Sequence, residues 1–153
     1  MQLTRYTDYS LRVLIYLAAL PDRQATITEI AECFEISRNH LVKIVHQLGS
    51  KGYLKTTRGK GGGLSLSRAP ELISIGDVVR SMENHFNWVE CFDSKQQHCR
   101  LIPNCGLIPV LGRAGNAFLQ VLDGATLADV LAHKSSSPAN EPKVIELLNL
   151  HNR

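Results

Sequence analysis

The chain has 153 residues, 44% of them hydrophobic, enough for one sizeable core or a small domain with an appendage, and no apolar run approaches the roughly twenty residues that span a membrane. The first residues lack the basic, apolar and small-residue regions of a signal peptide, so a cytoplasmic protein with reduced thiols is expected. The net charge of +3 is uneven: Ile36 to Pro70 holds seven basic residues and no Asp or Glu, leaving ten basic and fourteen acidic residues elsewhere, a pattern that points to a polyanion docking on one face.

Taken in order, the chain opens with a predicted helix from Thr7, read as its cap, to about Leu20. Asp8 lies in its first turn, and Leu11, Leu14, Ile15 and Ala18 form its buried stripe at helical spacing. Pro21-Asp22 ends it. A second helix is predicted from about Thr28 to Phe34, with Ile27, Ile30, Ala31 and Phe34 apolar. Cys33 on this helix reads as a small buried side chain rather than a ligand. The turn Glu35-Ile36 follows, and Ser37 is a good N-cap for a third helix, Arg38 to about Ser50. On that helix Leu41, Ile44, Val45 and Leu48 face inward, while Arg38, Asn39, His40, Lys43 and His46 point elsewhere.

Helix, short turn and capped basic helix form the pattern of a helix-turn-helix, whose second helix enters the major groove. Gly52 to Thr57 then reads as a strand, Arg58-Gly-Lys-Gly-Gly-Gly63 as a turn, and Leu64 to Arg68 as an alternating return strand. A hairpin with a basic, glycine-rich tip is a wing suited to the phosphate backbone. A plain solvated turn and a nucleotide loop are the rival readings. A phosphate-cradling loop opens directly into a helix, whereas this one leads into a strand. The expected contacts to double-stranded DNA are therefore Arg38, Asn39, His40 and Lys43 from the helix, with Arg58 and Lys60 from the wing.

Ser74 caps a predicted helix from Ile75 to about Met82, with Ile75, Val78, Val79 and Met82 apolar. Beyond it, Cys91, Cys99 and Cys105 fall within fifteen residues, in a polar stretch broken by Pro103 that reads as a loop. A loop can wrap its sulfurs around one point, as an iron–sulfur cluster or a zinc ion requires. Three thiolates leave one position for His98, another side chain or an outside donor. Zinc held by Cys91, His98, Cys99 and Cys105 stays open on spacing alone, as do unpaired core cysteines or a disulfide. Gly106 to about Leu122 is a long helix with Pro109 in its first turn. Leu107, Leu111, Ala114, Phe118 and Val121 recur at heptad spacing, the pattern of a lengthwise seam that packs either on its own domain or on a partner. Because a lone winged helix reads a short site poorly, a two-fold homodimer is the expected reading. Gly112 and Gly115 on this helix favour close helix approach. Thr126 to Leu131 is a short helix, Ser135 to Pro138 opens a loose tail, and Val144 to Leu150 is a weak helix. No paired carboxylates, Cys-x-x-Cys or His-Glu-x-x-His accompany the cysteines, so an enzyme is not expected.

The expected fold is mainly α with a small β-hairpin wing. Residues 1–82 make a winged helix-turn-helix DNA-binding domain, 83–132 a sensor loop and dimerisation helix, and 133–153 the tail. Several stretches carry a resemblance over roughly residues 1–132: Leu3 to Tyr9, Ser37 to Lys43 with Arg58 to Gly63, Ile75 to Val79, and three cysteines before a long helix. On these the chain resembles the nitric-oxide-sensing repressors of the NsrR type, in the winged-helix family that also contains the iron–sulfur biogenesis regulator IscR. The resemblance implies an iron–sulfur cluster on Cys91, Cys99 and Cys105, 4Fe–4S in preference to 2Fe–2S, and a dimer on a palindromic operator. IscR-like relatives take a histidine two residues beyond the third cysteine, where Leu107 stands here. NsrR-like relatives take an aspartate near the N-terminus from the other subunit, the position of Asp8, whose plain alternative is a first-turn carboxylate paired with Arg12. The gap from Cys91 to Cys99 is wider than in several relatives, which keeps His98 in play. Nitric oxide is the implied signal that lifts repression; a family member tuned to iron status, and a regulator with structural zinc, are the alternatives.

Overall fold

The computed structural model describes residues 2–132 apart from 60, 94, 96, 97 and 103. The expected tail, its helix over Val144 to Leu150, and Lys60 lie outside the described residues. The elements are α1 (Arg5–Ala18), α2 (Ile27–Phe34), α3 (Arg38–Ser50), β1 (Leu54–Thr57), β2 (Gly63–Leu66), α4 (Ile75–Met82), α5 (Leu107–Asp123) and α6 (Leu127–Ala132). Short 3₁₀ turns precede α4 at Pro70–Leu72 and hold Cys91 at Glu90–Phe92.

Local chemistry sets the helix starts. Thr4, not Thr7, caps α1: its backbone is extended and its side chain accepts the Thr7 N–H, while Thr7 is buried. Thr26 caps α2 through a reciprocal box with Glu29, so that helix begins at Ile27 rather than Thr28. Ser37 caps α3 and Ser74 caps α4, as the sequence predicts. Thr126 and Asp129 form a further box at the start of α6, whose hydrogen bonds hold the Asp129 carboxyl below the usual carboxylate range.

The core is built around α1, which meets α3, α4, α6 and β2. Because neighbours close on it from several sides, its buried face is Val13, Leu14, Tyr16 and Leu17. The predicted Leu11, Ile15 and Ala18 are half-buried at the margin. The four inward residues of α3 and of α4 are buried as expected, including Leu41, Ile44 and Val78 with no exposed surface. Backbone bonds between Ile75 N and Ala125 O (2.9 Å) and between Leu127 N and Ile73 O (2.9 Å) fasten the start of α4 to the start of α6.

The α5 helix lies on α4 and buries no residue completely. Its expected single seam divides in two. Leu111, Phe118 and Leu122 turn inward, Phe118 meeting Trp88 edge to face at 6.0 Å. Leu107, Ala114 and Val121 are exposed, together with Val110 and Ala117. Gly115 makes room for the Trp88 ring, 2.9 Å from where a Cβ would stand, rather than for another helix, and Gly112 faces open space. Gly76 is similarly constrained: a Cβ there would meet the Asp123 carboxylate and lie 2.9 Å from the Asp123 nitrogen. That carboxylate pairs with Arg80, through Nη2 to Oδ2 at 2.7 Å. Gly76→Ala is therefore expected to cost about 1–3 kcal/mol of stability. An unchanged urea midpoint would contradict this packing of α4 on α5.

Candidate nucleic-acid interface and cysteine loop

The helix-turn-helix is made by α2 and α3, joined through Glu35, whose left-handed backbone (φ 53°) turns the chain sharply before Ser37. Burial of Leu41, Ile44, Val45 and Leu48 leaves the opposite face of α3 outward. Arg38, Asn39, His40, Lys43 and His46 are all exposed on it, as is Val42 at 47%. No acidic residue lies in the first turn, so the positive helix end and Arg38 act together toward an anion.

The wing is an antiparallel pair in the register Leu54↔Leu66 to Thr57↔Gly63. Leu64 anchors it, buried on one side and bonded through its backbone to Ala25 in both directions, at 3.0 and 2.7 Å. This fixes the hairpin against the α1–α2 connection and leaves Arg58 exposed at the tip. Gly59 and Gly61 hold positive φ there (100° and 81°), a turn that side chains resist. Arg68, at the far end of the basic block, is engaged structurally. It donates to the Gly52 carbonyl at 3.1 and 3.3 Å and covers the Tyr53 ring at 5.1 Å. The outward cationic face is thus the start of α3 with the wing tip.

The cysteine loop begins just after Glu83, which follows α4. Across it, the Glu90 carboxylate accepts the His98 backbone N–H at 2.7 Å. This clip brings positions 90 and 98 side by side despite the long gap, and Cys91 and Cys99 each follow one residue later. Cys105 sits at the start of α5, its carbonyl accepting from Ile108 at 3.3 Å. Cys91 and Cys105 are half-buried, and Cys99 and His98 are exposed. Among the described residues, no three His, Cys, Asp or Glu side chains gather as a metal cage. Asp8 pairs with Arg12 one turn on, at 2.9 Å, with both side chains 45% exposed. Cys33 is half-buried in α2, and burial pushes its thiol up, which disfavours the thiolate a metal needs. Two residues that sequence reasoning passed over are Tyr6, whose hydroxyl donates to the Lys43 carbonyl at 2.9 Å, and Glu83, which accepts from Thr4. Both contacts span distant parts of the chain and leave no local sequence signal.

A capped helix-turn-helix beside a basic wing defines a winged-helix, DNA-binding transcriptional regulator. The profile of a family described as Rrf2, iron-dependent transcriptional regulator, matches residues 3–133. The chain belongs to the Rrf2 family. It is 53% identical over 135 residues to the HTH-type transcriptional regulator NsrR of Bacillus subtilis, covering 88% of this chain and 92% of that one. The NsrR of Bacillus licheniformis is 50% identical over 135 residues, covering 88% and 94%. Among solved structures, that of CymR, the global cysteine regulator of B. subtilis, superposes with a TM-score of 0.72 at 25% identity, covering 88% and 99%. These relatives are regulators, and this chain is a regulator rather than an enzyme. Among the described residues no helix is long and apolar enough to cross a membrane.

Proposed function

We propose that the protein is a homodimeric transcriptional repressor that senses nitric oxide through an iron–sulfur cluster. The observation that carries this is the pairing of an exposed DNA-reading helix with a three-cysteine loop, in a chain about half identical to NsrR regulators. The donor set suits the group: three soft thiolates in fifteen residues, two of them flanking the Glu90–His98 clip and one at a helix start. Cys91, Cys99 and Cys105 would hold the cluster, with Asp8 of the partner chain as the fourth donor. When bound, a cluster supplies iron that reacts with nitric oxide, 4Fe–4S being the favoured form.

The remaining steps belong to the polypeptide. An exposed i,i+4 pair such as Asp8–Arg12 contributes only about 0.3–0.5 kcal/mol, so Asp8 gives it up readily for a stronger partner. Its carboxylate joins one subunit's first helix to the other's cysteine loop. While it is held there, the two α3 helices keep the spacing that a palindromic operator requires. Arg38, Asn39, His40 and Lys43 meet the groove, and Arg58 and Lys60 meet phosphate. Release of Asp8 frees the subunits to lose that spacing.

The test is a gel shift with anaerobically purified protein, alongside its absorption spectrum and iron and sulfide content. A brown preparation whose operator affinity falls on adding nitric oxide is expected. Unchanged affinity refutes the switch, and a colourless protein with stoichiometric zinc replaces the cluster by a structural ion.

A further inference from the structure

The first turn of α1 holds two contacts that the repressor reading does not use. Tyr6 sends its hydroxyl across to α3, donating to the carbonyl of Lys43 at 2.9 Å. A mid-helix carbonyl ordinarily accepts only from the residue four ahead, here Gln47, so Tyr6 takes its second lone pair on the side facing α1. Around this bond Tyr6 lines a shallow groove with Val42, Lys43, His46 and Gln47, which takes in the proposed DNA-facing Lys43. One residue pair earlier, Thr4 donates both its N–H and its hydroxyl to Glu83 Oε1, at 2.7 and 3.1 Å. Glu83 is the C-cap of α4 and the root of the cysteine loop.

Val13, Leu14, Tyr16 and Leu17 hold the later turns of α1 in the core, whereas the first turn lies at its margin: Thr7 is buried, Tyr6 is half-buried with its ring against the core, and Thr4 is exposed. A polar tie at the core's margin can be made or broken without unfolding the domain. We propose that the first turn of α1 is a positioning element, in which Thr4–Glu83 fixes it to the root of the cysteine loop and Tyr6–Lys43 passes its position to the recognition helix. Resting on the repressor reading, it assigns the intrachain route by which the loop sets the tilt of α3. Asp8 lies on the same turn, two residues beyond Tyr6. Tyr6, Thr4 and Glu83 are therefore positioning residues that do not contact DNA.

The experiment compares wild type with Tyr6→Phe, Glu83→Ala and Glu83→Gln. Operator affinity is measured on anaerobic loaded protein before and after nitric oxide, and amide hydrogen exchange across residues 38–50 on cluster-free protein. Tyr6→Phe keeps the ring and loses only the hydroxyl. It is expected to shrink the ratio of the two affinities by about threefold or more and to speed exchange in α3, with unchanged melting temperature and absorption spectrum. Glu83→Ala should do the same, and Glu83→Gln, which keeps an acceptor oxygen, should behave as wild type. Equal weakening of both affinities by Tyr6→Phe, or an unchanged ratio with unchanged exchange, overturns the proposal. A wild type blind to nitric oxide overturns the repressor reading instead, and the exchange measurement on cluster-free protein then decides the tie alone.

Discussion

In the proposed homodimer, replacing both Val110 and Val121 by lysine is expected to leave a monomer and to weaken operator binding by roughly 10²–10⁴-fold. Leu107, Val110, Ala114, Ala117 and Val121 follow one another at intervals of three and four along α5, all exposed. Leu107 is 57%, Val110 48% and Val121 74% exposed, while Arg113, Asn116 and Gln120 flank the stripe with polar groups. Each large aliphatic side chain moved from water into an interface contributes about 1.5–3 kcal/mol, and a two-fold axis doubles every such gain. A lysine on each side of that axis removes the apolar area and sets like charges against one another. The loss in DNA affinity follows from valency: a dimer engages its second half-site as an intramolecular event, and a monomer must bind each one anew. Since the two valines point away from their own domain, the melting temperature should stay close to wild type. Sedimentation velocity and operator titration check the two halves separately. An unaltered dimer would place the interface elsewhere, and a monomer with full operator affinity would break the link between assembly and recognition.

The parts of the fold that the sequence made legible are those specified within a few residues. Ser37 and the inward quartet of α3 are local features, a cap followed by apolar residues at helical spacing, and the structure places them as read. The same holds for α4 and for the turn glycines of the wing. Distant neighbours decided what was misread. Thr4 and Thr7 are equally good caps in isolation, and Thr4 is fixed by Glu83, seventy-nine positions away. In α5 the heptad pattern merged two edges, because apolar spacing alone does not say which edge meets the chain's own Trp88 and which meets solvent. Arg68 counted toward the cationic block by its charge, yet its guanidinium is engaged by Gly52 and Tyr53. In the cysteine loop the residue types were plain, but the clip that offsets the wide spacing is a backbone bond to Glu90, invisible to any motif.

Substitution of the cysteines separates the loop from the remaining thiol. Cys105→Ser, purified without oxygen, is expected to lose its colour and to drop to background iron and sulfide, and its operator affinity should no longer respond to nitric oxide. A serine hydroxyl is a harder donor than a thiolate and stays protonated at neutral pH, so one of the three soft donors is lost outright. Cys91→Ser and Cys99→Ser should match it. Cys33→Ser should retain full iron, because the half-buried α2 thiol is pushed toward its protonated form and lies outside the loop. Asp8→Ala belongs between these extremes. On the proposed ligand set three sulfurs would remain to retain the core while the tie between subunits would be lost, so iron should be bound initially and lost faster on exposure to air. The comparison also weighs His98, whose backbone is held by Glu90 while its side chain is exposed. If His98→Ala rather than Asp8→Ala speeds iron loss, the fourth donor comes from within the loop, and the subunits are not joined through the cluster. If Cys105→Ser keeps its iron and colour, the three-cysteine assignment itself falls.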